Sequence, residues 1–273
     1  MAKRRKNIQP IYPYNPLEEN PAPTDEPAPV KNTHTRLLVC LAVFATACTV
    51  IFVAFVLQHI TAHSHSRNEN NALRQMAVRF DVGSDTYMPS PVLATHIHAF
   101  DALMREINPN FVCWIRIEGT RIDYPVVRAQ DNERYLTLTF TGTYNENGAV
   151  FMDYRNTGDF VPHLIIYGHN TRYGTMFSDL HRFLCAQFLA QHNTISLIIN
   201  GEVVEYKIFC ARRTDIYDPA FFLDFTEAGA FHDFLARINA PENAVQILTL
   251  STCVSGNNIN ERVLVQGALI RKE

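Results

Sequence analysis

The sequence lacks a strong net charge, internal repeats and the short motifs of common metal sites. Its 273 residues carry a formal charge of −3, which gives no electrostatic reason to expect a nucleic-acid partner. No C-x-x-C or H-E-x-x-H spacing occurs, and the pairs His63/His65 and His96/His98 have a spacing that does not share one face of a helix. We therefore predict no metal, no cofactor and no bound nucleic acid.

Charge and proline are both missing from the apolar run Leu37–Leu57. A helix of this length spans the roughly 30 Å hydrocarbon core of a bilayer. The rival interpretation is a cleavable signal peptide, but its apolar region is usually about 7–15 residues long and lies close to the N-terminus. We predict an uncleaved, single-pass anchor at 37–57. Basic residues precede the run, which predicts a cytoplasmic N-terminus and an extracellular segment 58–273.

The flanks of the anchor differ in composition. Half of the 14 prolines lie in 7–30, which predicts a disordered, Pro-rich cytoplasmic tail over 1–36. Residues 58–109 are expected to form a juxtamembrane linker and N-terminal helices. Helical spacing of apolar residues appears at Ala72–Phe80 and Thr95–Ile107, with Thr95 as a possible N-cap.

Residues 110–273 are predicted to form one mainly β domain with accessory helices. Short β-branched and aromatic runs alternate with turn residues at a spacing typical of a barrel or sandwich. The predicted strands are Val112–Ile117, Arg121–Val127, Ala149–Met152, Leu164–Tyr167, Thr194–Ile199, Glu202–Arg212, Val245–Thr252 and Arg262–Ile270. Two helices interrupt them, at Met176–Phe183 and at Thr226–Ile238, where Thr226 is the expected N-cap.

The last two strands suggest a chemical site. If they form a hairpin, side-chain alternation and the loop between them place Cys253 directly opposite Arg262. A nearby positive charge favours the nucleophilic thiolate, and a fixed donor stabilises an oxyanion. The alternative is a buried cysteine beside an unrelated arginine. Among 11 histidines, His169 is the candidate acid or base because it ends a strand at its rim, whereas His163 at the other end is predicted to be a solvated loop residue.

The remaining cysteines offer no second nucleophile. Of the six cysteines, Cys40 and Cys48 fall in the predicted membrane helix. Cys113, Cys185 and Cys210 lie in apolar runs, which predicts core thiols. A disulfide at Cys253 would disable the proposed site, so at most one bridge is expected, among those three.

Three segments resemble the active-site segments of sortases: TLSTC at 249–253, YGHN at 167–170 and RVLVQGAL at 262–269. WIRIEGTRIDYPVVRAQDNERYL at 114–136 and GAVFMDYRN at 148–156 resemble class B in particular. The resemblance covers about residues 95–271. It implies an eight-stranded sortase β-barrel with N-terminal helices, and a helix between strands six and seven, here within Thr214–Asn239.

The resemblance also implies a membrane-bound cysteine transpeptidase. Cys253 would attack a Thr–Gly or Thr–Asn-type bond in the C-terminal sorting signal of a secreted protein and form a thioacyl intermediate. His169 would protonate the leaving amine, and Arg262 would hold the substrate and the oxyanion. A cell-wall precursor or a pilin lysine would supply the accepting amine. Implied substrate contacts are Asn132, Ser251, Thr252 and Phe221. Phe221 would line the signal pocket with Tyr217 and Phe222, and the alternative for these three aromatics is packing in the core.

The same residues leave two other functions open. One is an extracellular cysteine hydrolase, although papain-like enzymes place the cysteine before the histidine and no caspase-type Q-A-C motif occurs. The other is an inactive, membrane-tethered module that binds sorting signals.

The segment after the cysteine departs from the family pattern. Val254–Gly256 follow Cys253, whereas some class B sequences carry acidic residues there, and Glu261 is the nearest carboxylate. The sequence therefore does not predict an acidic third member of the site.

Overall fold

The computed structural model describes residues 33–80, 91–157, 161–254 and 258–270. The predicted Pro-rich tail lies outside these residues except for its last few positions. The chain divides into two compact units, 1–55 and 56–273. Among the described residues, His34–Leu57 is long and apolar enough to cross a membrane, and it is not buried by protein. It belongs to helix α1, Thr33–Arg79.

Within the second unit, the end of α1 packs with helix α2, Pro91–Ile107. Leu73 and Ala77 of α1 share a buried cluster with Phe100 and Met104 of α2. The predicted cap at Thr95 is wrong, because α2 begins four residues earlier at Pro91. Proline suits the first turn of a helix, where its missing N–H is not needed.

Eight strands close into a barrel, which confirms the predicted fold. In chain order they are β1 Phe111–Arg116, β2 Asp123–Val127, β3 Val150–Met152, β4 His163–Tyr167, β5 Thr194–Ile199, β6 Glu202–Asp215, β7 Ala244–Cys253 and β8 Glu261–Ile270. Around the barrel the order is β1-β2-β3-β4-β7-β8-β6-β5. The pairs β2/β3 and β4/β7 are parallel and the others are antiparallel.

Alternation along the strands sets the barrel core. Leu248 and Leu250 of β7 are fully buried in the same cluster as Val263 and Val265 of β8. Inward-facing residues of a small barrel fill its interior in this way. Opposite faces are then free for other contacts, and Trp114 of β1 packs outward against Phe100 of α2, with ring centroids 5.5 Å apart.

The predicted helices between strands are present with different bounds. A 3-10 helix, Ser178–Leu184, and helix α3, Ala186–Gln191, follow β4. The segment between β6 and β7 contains a 3-10 helix, Pro219–Phe221, and helix α4, Ala230–Arg237.

The N-cap of α4 is not the predicted residue. Thr226 donates instead to Asp224 Oδ1, at 2.7 Å. Gly229 occupies the N-cap position with φ of +83°. Glycine tolerates this left-handed conformation without a steric penalty, so it can start the helix without a side-chain cap.

Three further expectations about single residues are wrong. His163 is completely buried in β4 rather than solvated, because aromatic residues of the β6–β7 segment cover it; its ring lies 4.8 Å from that of Phe234. Cys185 is exposed and Cys210 half-buried, so of the three predicted core thiols only Cys113 is buried. All six cysteines are free.

Candidate active site

A short loop after β4 carries His169. Thr252 Oγ1 donates to the carbonyl oxygen of Gly168 at 2.7 Å, and Gly168 N donates to Ser251 O at 3.2 Å. A Cβ on Gly168 would lie 2.7 Å from the ring of Phe177, so glycine is required for this close approach. The loop is therefore fixed against the end of β7, and His169 is held beside the strand that carries Cys253.

The β7–β8 hairpin has the predicted register. Cys253 pairs with Arg262, Ser251 with Leu264 and Thr249 with Gln266. Directly opposed residues in antiparallel strands have Cβ atoms about 5 Å apart. Cys253 is exposed at the strand end, and Arg262 is half-buried. The thiol and the guanidinium thus start from neighbouring positions on one face of the sheet.

A groove of about 230 Å³ brings the candidate residues together. Its lining includes Cys253, His169 and Arg262. Leu136, Phe151 and Tyr167 supply apolar walls, and Asn132, Gly168, Ser251 and Thr252 complete the lining. A nucleophile, an imidazole and a permanent cation therefore face one partly apolar cleft, which is the arrangement that acyl transfer needs.

Both His169 and Arg262 contact backbone oxygens in the site. His169 Nε2 lies 2.8 Å from the carbonyl oxygen of Leu136. Arg262 Nη1 donates to Ile259 O at 2.6 Å and to Glu261 O at 2.9 Å. The guanidinium keeps other donors, because arginine offers five N–H groups and these contacts use only those of Nη1.

The predicted substrate contacts fall into different environments. Asn132, Ser251 and Thr252 line the groove, but Phe221 does not and instead stacks on Tyr167 with ring centroids 6.5 Å apart. The Thr252 hydroxyl is already bonded to Gly168. Ser251 Oγ is buried without a hydrogen-bond partner among the described residues. A buried hydroxyl of this kind is costly unless a ligand satisfies it.

Sequence reasoning missed several residues around the nucleophile. Asn170 Nδ2 donates to the carbonyl oxygen of Cys253 at 3.1 Å, and His181 Nε2 lies 3.2 Å from the same oxygen. Leu136 accepts the contact from His169 through its backbone. Leu136 ends the segment 114–136 that resembles class B sortases, but its side chain gave no signal because only its backbone oxygen makes the contact. His181 carried no signal because it reaches the site only through the fold.

Comparisons with known proteins identify the family of this chain. The family model described as "Sortase domain" matches residues 115–270. Sortase B of Listeria monocytogenes is 32% identical over 180 residues, covering 62% of this chain and 73% of that protein. Sortase B of Staphylococcus aureus is 25% identical over 247 residues, covering 86% of this chain and 99% of that protein.

Solved structures of sortase B are also similar to this chain. The Staphylococcus aureus sortase B–substrate complex superposes with a TM-score of 0.65 at 26% identity, covering 78% of this chain and all of that one. Listeria monocytogenes sortase B superposes with a TM-score of 0.55 at 33% identity, covering 61% of this chain and 98% of that one.

The eight-stranded barrel and the sortase B relatives place the chain in the class of cysteine transpeptidases. The chain belongs to the sortase family, and its relatives place it in class B. Sortases are cell-surface enzymes that act on sorting signals and amine acceptors.

Proposed function

We propose that Cys253 is the nucleophile, His169 the general acid and base, and Arg262 the group that holds the oxyanion. The observation that supports this assignment is the single groove that all three residues line. The pairing of Cys253 with Arg262 places a permanently charged side chain at the strand position opposite the cysteine. A guanidinium N–H can donate to the oxygen that becomes negative during attack.

The proposed reaction has two acyl-transfer steps. Cys253 Sγ attacks the carbonyl carbon of a Thr–Gly or Thr–Asn-type bond in a C-terminal sorting signal. The C–N bond breaks, the leaving amine takes a proton from His169, and a thioacyl-enzyme remains. An incoming amine then attacks the thioester carbonyl, His169 takes its proton, and the thiolate leaves. The cycle therefore starts and ends with a thiolate at Cys253 and a protonated ring at His169.

For His169 to serve both steps, its ring must turn away from the Leu136 carbonyl oxygen, which it contacts at 2.8 Å. His169 is only partly buried, so little packing opposes a rotamer change. Catalytic hydrogen bonds in unliganded enzymes are often formed only when substrate binds. The groove lining also supplies substrate contacts: we propose Asn132, Ser251 and Thr252 as direct contacts, and Phe221 as a residue that acts through its stacking on Tyr167.

The accepting amine is proposed to come from a cell-wall precursor or a pilin lysine. A related sortase B has been solved in complex with triglycine, which supports an amine of the wall-precursor kind. Partial exclusion of water by the apolar walls Leu136, Phe151 and Tyr167 favours aminolysis over hydrolysis.

Labelled peptides with Thr–Gly and Thr–Asn bonds test this proposal. The full chain in detergent is incubated with each peptide, with and without triglycine, and the products are identified by mass spectrometry. We expect a triglycine-linked product and a trapped thioacyl adduct on Cys253, and neither with Cys253→Ala. Hydrolysis that ignores triglycine would instead identify a hydrolase, and an adduct that survives Cys253→Ala would exclude this nucleophile.

We also propose that the helix His34–Leu57 anchors the enzyme in the membrane. The N-terminal tail, residues 1–36, would lie in the cytoplasm and the catalytic domain outside the cell. The segment His34–Leu57 has a mean hydropathy of 2.7 and is not buried by protein, which supports contact with lipid. Protease added to intact cells should remove the segment 110–273 and spare an N-terminal tag. Protection of the catalytic segment would show the opposite orientation.

A further inference from the structure

A buried carboxylate lies behind the groove with no part in the proposed chemistry. Asp153 follows β3 and is completely inaccessible to solvent. An ionised group in such a place is costly unless charge and hydrogen bonds compensate it. The groups that contact Asp153 therefore indicate its role.

Both oxygens of Asp153 are fully used. Oδ1 accepts from Arg155 N at 3.0 Å and from Arg155 Nε at 2.9 Å. Oδ2 accepts from Arg155 Nη2 at 2.8 Å, from Tyr167 Oη at 2.9 Å and from Asn132 Nδ2 at 3.1 Å. Burial alone would raise the pKa of Asp153, but the hydrogen bonds from Arg155 and Tyr167 outweigh it, and its pKa lies below the ordinary value. Asp153 is thus ionised at neutral pH, and it can only accept hydrogen bonds.

Two of these donors, Asn132 and Tyr167, line the groove. The Asn132 amide has a single possible orientation, because its Nδ2 faces the acceptor Asp153 while its Oδ1 accepts from the Tyr154 backbone N–H at 3.0 Å. A carboxylate cannot donate and a backbone N–H cannot accept. One Nδ2 hydrogen is then left without a partner among the described residues.

Tyr167 is fixed by the same carboxylate in a different way. Its hydroxyl donates to Asp153, and its ring lies 5.4 Å from Phe151 and 6.5 Å from Phe221, nearly parallel to the latter at 11°. The hydroxyl hydrogen is occupied, so this side chain offers the groove an apolar ring rather than a donor. Asp153 therefore sets the polarity of both wall residues.

We propose that Asp153 is a positioning residue that holds Asn132 with its remaining N–H directed at a carbonyl group of the bound sorting peptide. This inference rests on the proposed function of the groove. It assigns to Asp153 a role in substrate affinity, exerted through Asn132, and no role in bond making or breaking.

The test compares Asp153→Asn, Asn132→Ala and the double variant in the full chain in detergent, with whichever sorting peptide the wild-type chain processes. An amide at 153 presents a donor to the Asn132 amide and removes its fixed orientation. We expect each single variant to raise KM about tenfold, the loss of roughly one hydrogen bond, with kcat changed less than about threefold. The double variant should be no worse than either single one, because both lose the same contact.

A matched control separates positioning from general destabilisation. Asp179 is also buried and paired with an arginine, Arg121 at 2.7 Å, but it does not line the groove. Asp179→Asn should lower the melting temperature while KM stays within about twofold of wild type. The rate at which iodoacetamide modifies Cys253, read by peptide mapping, should be the same in all variants.

Asn132→Gln keeps the amide group but displaces it by one methylene. This variant replaces Asp153→Asn in the test if Asp153→Asn does not fold. A KM like that of Asn132→Ala would support positioning, whereas a wild-type KM would overturn it. The proposal also fails if the effects of Asp153→Asn and Asn132→Ala multiply in the double variant, or if kcat alone falls. A wild-type chain that processes no peptide would refute the proposed function instead, which keeps the two failures distinct.

Discussion

We expect the buried imidazole of His163 to make stability depend on pH. Its Nδ1 lies 2.9 Å from the carbonyl oxygen of Phe222 and its Nε2 lies 2.8 Å from Thr249 Oγ1. The neutral ring satisfies both contacts by donating from Nδ1 and accepting at Nε2. Burial lowers the pKa of His163 from 6.5 to about 4, although the Phe222 contact and the charge of Asp153 oppose the change.

The sign of the pH effect follows from this lowered pKa. Above pH 6.5 the ring is neutral in both the folded and the unfolded chain, so stability is complete. Between pH 6.5 and about 4 the unfolded chain binds a proton that the folded chain excludes. The free energy of unfolding then falls by about 1.4 kcal/mol per pH unit, and by about 3 kcal/mol in total.

Urea unfolding of the full chain in detergent, followed by the fluorescence of the single, buried Trp114, measures this loss. His163→Gln is the control, because it cannot titrate while the carboxylates common to both proteins still do. The difference in unfolding free energy between wild type and variant should shrink by about 3 kcal/mol from pH 7 to pH 4. A difference that stays constant over this range would refute the assigned protonation state.

Three further perturbations have definite outcomes. Gly148→Ala should lower the free energy of unfolding, measured by urea unfolding, far more than Gly142→Ala. Both residues have positive φ, which costs alanine about 1 kcal/mol. In addition, a Cβ at Gly148 would lie 2.3 Å from a backbone oxygen, whereas one at Gly142 would contact nothing. Phe234→Ala, at a side chain with no exposed surface, should cost about 3–5 kcal/mol in the same assay. Arg262→Lys should reduce transpeptidation about 100-fold by loss of the guanidinium fork, while alkylation of Cys253 continues.

The strand pattern could be predicted because local rules control it. The strand Thr194–Ile199 was predicted with its observed bounds, and the register that pairs Cys253 with Arg262 followed from alternation and loop length. The wrong predictions concern residues whose environment depends on tertiary contacts. His163 looks like a loop residue until the β6–β7 segment covers it, and Thr226 has the right chemistry for a cap, but its hydroxyl donates to Asp224.

The site was predictable only in part for the same reason. Residues delivered by strand ends, such as His169, follow from the strand pattern together with the family resemblance. The contact between His169 and the Leu136 backbone joins positions 33 residues apart, and that of Asn132 with Asp153 joins positions 21 apart. No periodicity in the sequence encodes such contacts, because they depend on how β3 and β4 lie against the loop before them.

A buried polar layer formed by Thr249, Gln266 and His163 favours the strand register in which Cys253 pairs with Arg262. Thr249 Oγ1 accepts from Gln266 Nε2 at 3.1 Å across β7 and β8, and it also contacts His163 of β4. A slip of β8 by one residue would turn Gln266 to the opposite face, where the barrel core is apolar, and would break its contact with Thr249. The polar layer expected to make stability depend on pH therefore also favours the register that places Cys253 opposite Arg262, four residues along the hairpin from Thr249 and Gln266.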